Sequence, residues 1–597
     1  MKGSVKLPVF IDDARKYVNT TQLRAKYLGA SYEAEYCQWQ TLHGLGSLME
    51  TASLIITPNA YLEGKLIASY PPDPIGDFDV TRATTATRVN SAGLVELVPY
   101  NLNTNSENFT TSWGNDGTST TTNNFTTAPN GTMTAAKVVS NIANGYAYKS
   151  LPVPSGTYTL SYYVKASAPT TMSIAFNDVG GNGYIGSYGI AVTTEWQRIS
   201  LTANLVGSNL YIDYSQLQLG VDYYIWGAQL VEGSTAKDYQ KTETRLNIPR
   251  LDYSNGTCPS LLVEPQRTNI LKYSEDFENI YWYEEPGNSV TSNTTISPSG
   301  IQNADTFTAV GGSEMNIHNV ATFPLTTGTY TYSVYLKNNG TNLIEVYLYQ
   351  IGPGFVARGE INFSAGTFTA SVGTGTIQEL DNGWYRVTLT NSVTAGDFTT
   401  GVYTTSTTGT RSVFVWGAQL EAGNYSTSYI PTTSASVTRN ADVISKTGIS
   451  SLIGQTEGVW YLDLYASAQN IDGGAFATWL VAGDSSNNFQ IYNVGTTLYW
   501  FARNTGGVLI DQTANQTIAA GERYKIAFAY KAGEYALYIN GVQKRTNTNA
   551  NVPAVSQFNL SAAGYGASPV MVKNEYNAVA LWKTRLTNTQ LAQLTTI

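Results

Sequence analysis

Four groups of residues in this 597-residue sequence could carry chemistry. Histidine, the commonest general base, occurs only as His43 in LHGLG and His318 in MNIHNV. Neither lies in a nucleophile or metal motif, so both read as packing or solvent-facing residues. Cysteine occurs only as Cys37 and Cys258, in segments assigned to different modules. Two cysteines exclude a disulfide framework and a cysteine-based zinc site, and two free thiols in a reducing cytoplasm are the expectation. Paired carboxylates would suffice for glycoside hydrolysis, and the acid in a strand-like run is Asp463 of WYLDLY, flanked by apolar residues. The fourth group is aromatic: Tyr281-Trp282-Tyr283 and Tyr499-Trp500-Phe501. Neighbouring strand residues face opposite sides, so one ring of each trio must point away from the core. Tyr281, Trp282, Tyr283 and Trp500 are the candidate carbohydrate-contacting residues. Trp196, Trp226, Trp384 and Trp416 recur at matched positions and read as core. No catalytic residue, metal ligand or cofactor is assigned.

The elements that would position these groups are mostly strands. Charged residues make up 13% of the chain, about half the usual share, while tyrosine reaches 42 residues. The remainder is rich in Thr, Ser, Asn and Gly, a mixture that favours pleated surfaces and tight reversals. With 42% hydrophobic residues the chain has ample core material, and its length implies several domains. A net charge of −9 without Lys/Arg clusters argues against nucleic-acid binding. No run approaches the roughly 20 apolar residues that span a bilayer.

Residues 1–55 read as a helical region, with Asp12 or Asp13 as N-cap. Residues 56–100 and 241–268 read as connectors of short strands and turns. Between and after them lies a duplication. NLNTNSENFTTSW (101–113) matches NILKYSEDFENIYW (269–282), and GTYTLSYYVK (156–165) matches GTYTYSVYLK (328–337). TEWQRISLT (194–202) matches NGWYRVTLT (382–390), and IWGAQLVEG (225–233) matches VWGAQLEAG (415–423). The offset grows from 168 residues (Asn101 to Asn269) to 190 (Ile225 to Val415), so the second copy carries its insertions between motifs. In the second pair Tyr158, Leu160, Tyr162 and Val164 share one face, as do Tyr330, Tyr332, Val334 and Leu336, the pattern of a half-buried antiparallel strand. The copies occupy 101–240 and 269–432; a linker (433–450) leads to a third β-region, 451–597. There Lys531–Glu534 and Asn540-Gly541 mark hairpin turns, and LTNTQLAQL a short capped helix.

The duplicated segments resemble the carbohydrate-binding-module-like jelly rolls of phage structural proteins. GDFDVTRATTATRVNSAGLVE (76–96) and NIPRLDYSNGTCPSLLVEPQRTN (247–269) resemble a stretch that recurs in phage fibre-like proteins, here parted by the first jelly roll. The last region, through YKIAFAYKAGEYALYINGVQ and ALWKTRLTNTQLAQL, resembles a concanavalin A-like, laminin-G-like sandwich. The resemblance implies tandem antiparallel β-sandwiches: two jelly rolls and a concanavalin A-like domain behind a small helical head.

It also bears on chemistry. Hydrolytic members of the concanavalin-like fold carry Glu-x-Asp-x-x-Glu on a strand, absent around Asp463. Jelly rolls of this kind often hold calcium through a last-strand Asp-Asp, where this chain has Trp226-Gly227-Ala228-Gln229 and Trp416-Gly417-Ala418-Gln419. Asn101, Glu107, Asn269 and Glu275 could offer oxygens but read as surface residues. The expectation is a non-enzymatic head-fibre or tail-fibre type protein on the surface of a bacteriophage virion, made in the host cytoplasm. Its amino-terminal region would dock on other virion proteins and its sandwiches would touch host glycans, as a homotrimer without membrane insertion. The opening MKGSVKLPVFIDDARKY is not read as a secretory signal, which fits release by lysis. The rivals are a virion glycan depolymerase, an architectural spacer without ligand and a secreted lectin.

Overall fold

The computed structural model describes residues 9–207, 209–404, 408–466, 476–561 and 569–597. The chain is mainly β, in antiparallel sheets stacked as sandwiches, with short helices near its start. It divides into two compact units, one holding the stretches up to His43, 59–85 and 97–249, the other 44–58, 86–96 and 250–597. The segments read as connectors are therefore shared out between units.

In the first unit a helix over Val9–Leu28 and a second beginning at Glu35 accompany four successive short strands, Ser31–Tyr32, Ala60–Leu62, Lys65–Leu66 and Phe78–Thr81, paired in that order. Asp12 and Asp13 lie inside the first helix, so neither is its N-cap. Arg24 donates through Nη1 to Asp77 Oδ1 at 2.9 Å, tying the helix to the turn before Phe78.

The first jelly roll pairs two five-stranded sheets. One runs in the order Gln197–Leu205, Gly156–Ala166, Asp222–Glu232, Ala135–Ser140, Ser119–Thr126. The core fills the space between sheets, and Tyr158, Leu160, Tyr162 and Val164 all point into it.

The second unit repeats this order. Its corresponding sheet runs Asn288–Thr295, Ala304–Ala309, Arg411–Ala422, Gly328–Asn338, Trp384–Val393, and then adds Thr374–Glu379 at the edge. Tyr330, Tyr332, Val334 and Leu336 point into the core as their counterparts do. Much of the length gained between the second and third motifs is a hairpin: Thr367–Val372 extends one sheet and Thr374–Glu379 the other. The strands have held their order, and the insertion has widened the sandwich.

The third sandwich is not built from 451–597 alone. Glu457–Ala466 and Asn574–Trp582 form the centre of one sheet, and Leu54–Ile56 and Ser260–Val263 both pair with Asn574–Trp582. The stretch 433–450 also carries strands: Val437–Arg439 pairs with Arg267–Asn269, and Val443–Thr447 with Gln557–Asn559. Asn540 and Gly541 have φ of 48° and 80°, the left-handed pair that a two-residue hairpin turn needs. The closing helix Asn588–Thr595 starts at a capping box between Thr587 and Gln590. Among the described residues no helix is long and apolar enough to cross a membrane.

Candidate functional site

The sheet face turned away from each jelly-roll core carries a second, smaller cluster. It originates in the WGAQ motif. Gly227 and Gly417 both have φ of 66°, and the strand pairing shifts register beside each, between Ser161 and Tyr163 and between Ser333 and Tyr335. Each glycine is the extra residue of a β-bulge. It lets Trp226 and Trp416 face outward while Ala228 and Ala418 return to the core side.

On that face Trp416 lies 5.1 Å from Tyr335 and 4.6 Å from Tyr429. Trp226 lies 5.4 Å from Tyr163 and 4.3 Å from Tyr239. The Tyr429 hydroxyl is 2.6 Å from Ser274 Oγ and donates to Glu275 Oε1 at 3.0 Å. Tyr239 does the same with Ser106 (2.7 Å) and Glu107 (3.3 Å). Glu107 is thus a buried hydrogen-bond partner, its pKa raised chiefly by burial, and not a surface acid. Asn101 and Asn269 are wholly buried as well. Asn269 Nδ2 donates to the carbonyls of Ala418 and Ile430 while its Oδ1 accepts from Leu420 N, and Asn101 makes the matching bonds to Ala228, Gln240 and Leu230. Reading Asn101, Asn269 and Glu107 as surface residues was wrong: the asparagines lock the first segment of each copy to its last strand and Glu107 is buried on Tyr239, while Glu275 is half-buried. Among the described residues no cluster of three or more His, Cys, Asp or Glu could hold a metal ion.

In the second jelly roll this face borders a cleft of about 800 Å³, within the usual range for ligand sites of roughly 300–1,000 Å³. Its floor is set by strand register. Thr374 lies opposite Thr390, which lies opposite Thr331; Thr376 opposite Thr388, then Ser333; Gln378 opposite Arg386, then Tyr335. The result is two rows of hydroxyls and a third row of amide, guanidinium and aromatic ring, with Arg386 5.3 Å over Tyr335; the inner hydroxyls of Thr331 and Ser333 are buried beneath the outer two of each row, which line the cleft. The outer strand of each row comes from the inserted hairpin. Across the cleft stand Asp252, Tyr465, Lys573 and Glu575. Asp252 accepts from Val89 N (2.7 Å) and Ser254 N (2.9 Å), and Glu575 pairs with Lys573 at 2.7 Å.

The residues singled out from sequence lie elsewhere. Trp282 is a core residue, stacked 4.8 Å from Phe277 with its Nε1 donating to Tyr273 O, and Trp500 is fully buried against Phe528. Neither offers a free ring face, because the strand phase turns both inward. Tyr281 is half-buried edge-on to Trp282, and Tyr283 is exposed beside its cross-strand neighbour His318. Burial lowers the His318 pKa, and His43 stacks on Trp39 at an exposed helix face. Trp384, Trp226 and Trp416 are buried, but in the outer clusters and not between sheets; Trp196 is half-buried, donating to Thr127 O. Asp463 is held by Arg523 through two 2.7 Å bonds. Neither Cys37 nor Cys258 is a free thiol, which corrects the expectation of two free thiols. Sequence reasoning missed the cleft, although the repeated W-x-R and GTYT motifs mark two of its strands.

No family model matches the chain, and no curated protein matches it. Among solved structures it is similar to the CBM40 of Ruminococcus gnavus IT-sialidase bound to alpha2,3 sialyllactose, at 14% identity and TM-score 0.21 over 24% of this chain and 84% of that one. It is similar to an N-terminal CBM22 tandem from Paenibacillus barcinonensis, at 13% identity and TM-score 0.18 over 57% of this chain and 97% of the other. A third likeness is to the receptor-binding domain of botulinum neurotoxin mosaic serotype C/D, at 10% identity and TM-score 0.21 over 25% and 38%.

Proposed function

We propose that this chain is a non-enzymatic surface protein of a bacteriophage virion, of head-fibre or tail-fibre type, that binds glycans in the cleft of its second jelly roll. The observation that carries the binding role is the set of cross-strand pairs Thr374/Thr390, Thr376/Thr388 and Gln378/Arg386 that line the cleft. Rows of hydroxyls ending on an amide and a guanidinium at strand spacing suit a polyhydroxylated ligand. A binding role fits better than hydrolysis, because the carboxylates across the cleft, Asp252 and Glu575, are engaged by backbone amides and by Lys573. A hydrolase needs one acid free to give up a proton and one free to attack or activate water. The virion assignment draws on the resemblance of 76–96 and 247–269 to phage fibre-like proteins. A trimer would multiply weak contacts into avidity, with the amino-terminal region docked on other virion proteins.

The test has two arms. Full-length protein is passed over immobilised bacterial surface polysaccharides, and antibodies against it are applied to purified phage particles. Retention on a polysaccharide that falls in Thr376→Val, with labelled particles, supports the reading. No retention on any polysaccharide would remove the binding role, and unlabelled particles the virion role.

A further inference from the structure

The third row of the cleft floor contains a charge without a counter-charge in contact. Arg386 is 8% exposed and lines the cleft. Its Nη2 donates to Ser333 Oγ at 3.0 Å, and its Nε is buried with no partner. Among the described residues no carboxylate lies within ion-pair distance of it. The other cations bordering the cleft are matched: Arg88 by Glu96 at 3.0 Å and Lys573 by Glu575 at 2.7 Å. Glu421, whose carboxyl feels the Arg386 charge, spends its oxygens on Gln419 Nε2 and on Thr427 N and Oγ1.

The first jelly roll provides an internal comparison. Arg198 occupies the matching place, 5.3 Å over Tyr163 and 3.0 Å from Ser161 Oγ, but there the guanidinium also donates to the Lys237 carbonyl at 2.6 Å. The Nε of Arg198 is likewise buried without a partner, so the copies differ in that carbonyl: the second copy has no such acceptor and sets a cleft above its guanidinium. A nearly buried guanidinium with spare N–H donors is costly unless something satisfies it, and its planar fork matches a carboxylate or another oxyanion.

We propose that Arg386 is the anion-recognising residue of the cleft and that the ligand is an acidic saccharide, its carboxylate seated on Arg386 and its hydroxyls on the threonine rows. This rests on the glycan reading given above and narrows it to a substrate class. Gln378 is the directly opposite residue on the neighbouring, exposed edge strand, so Gln378→Glu would set a carboxylate beside Arg386 without disturbing the core.

The experiment is calorimetric titration of the full chain with cellobiouronic acid, with cellobiose, which lacks the carboxylate, and with inorganic sulfate. The uronic acid is expected to bind more tightly than cellobiose, and both Arg386→Gln and Gln378→Glu to weaken it by roughly tenfold or more, the scale of a lost charge-assisted pair. Gln378→Glu should weaken the uronic acid more than it weakens cellobiose, because the new carboxylate repels only the charged ligand. If Arg386→Gln fails to fold, Gln378→Glu alone decides. Equal affinity for the two sugars, or no effect of Gln378→Glu on the uronic acid, overturns the acidic class and leaves the glycan reading standing. Sulfate binding that needs Arg386 while neither sugar binds overturns the glycan reading instead, and no binding of any probe overturns both.

Discussion

Arg250 and Glu264 meet at 2.9 Å, Nη1 to Oε2, with both side chains wholly excluded from solvent. Arg439 shares the same carboxylate oxygen, Asp442 takes the other end of Arg250, and Ser428 N donates to Glu264 Oε1 at 2.9 Å. The second connector, the end of the second jelly roll and the linker beyond it are thus held on one buried ionic knot. Its arginines hold the Glu264 carboxyl far below the usual carboxylate range, against the opposing effect of burial, which is the larger single influence. Glu264→Gln leaves two buried guanidiniums facing one remaining acid, and the expected cost is about 3–5 kcal/mol. Urea denaturation of the variant checks this, and a midpoint equal to that of the parent would refute the knot's role.

The two bulge glycines make a graded prediction. A Cβ on Gly417 would fall 2.8 Å from the Tyr335 ring, and one on Gly227 3.1 Å from the Tyr239 ring. Both also sit in the left-handed region, which costs a residue with a side chain about 1–2 kcal/mol. Both alanine variants should lower the melting temperature, Gly417→Ala more than Gly227→Ala.

Burial pushes the Asp305 carboxyl up to about 7, despite its bonds from Phe277 N and Asn293 N, and the Asp213 carboxyl up to about 6. The folded chain therefore holds protons that the unfolded chain releases near pH 4. Their contribution to stability is fully present below that pH and is lost as pH rises through 6 and 7. Asp305→Asn should flatten the fall in stability between about pH 4 and 7, read as urea midpoints across that window. An unchanged slope would mean that Asp305 is ionised in the folded state.

The aromatic trios separate stability from binding. Trp282→Ala and Trp500→Ala each empty a core position and should cost about 3–5 kcal/mol. Tyr283→Ala, at an exposed site, should stay within about 0.5 kcal/mol of the parent. Glycan retention unaffected by Tyr283→Ala would place the ligand away from this strand, as the cleft requires.

Much of the architecture was legible in the sequence because it depends on local periodicity. Alternation in 156–165 and 328–337 assigns the inward face of each strand, and four matched motifs in preserved order reveal two copies of one fold. Asn540-Gly541 and Thr587 with Gln590 announce a turn and a helix start through backbone chemistry confined to a few residues. What only the tertiary structure decided depends on partners far apart in the chain. Leu54–Ile56, at the boundary between the helical region and the first connector, and Ser260–Val263, inside the second connector, were not legible as sandwich strands because short strands carry no sign of which sheet edge they will extend. Trp282 and Trp500 read as platforms because a run of three aromatics has no phase of its own; the register of neighbouring strands turns them inward. Arg386 looked like one more residue of a repeated W-x-R motif. Its lack of a counter-charge follows from which carbonyls and carboxylates the fold brings near it, and its place in a cleft follows from a hairpin that the other copy lacks.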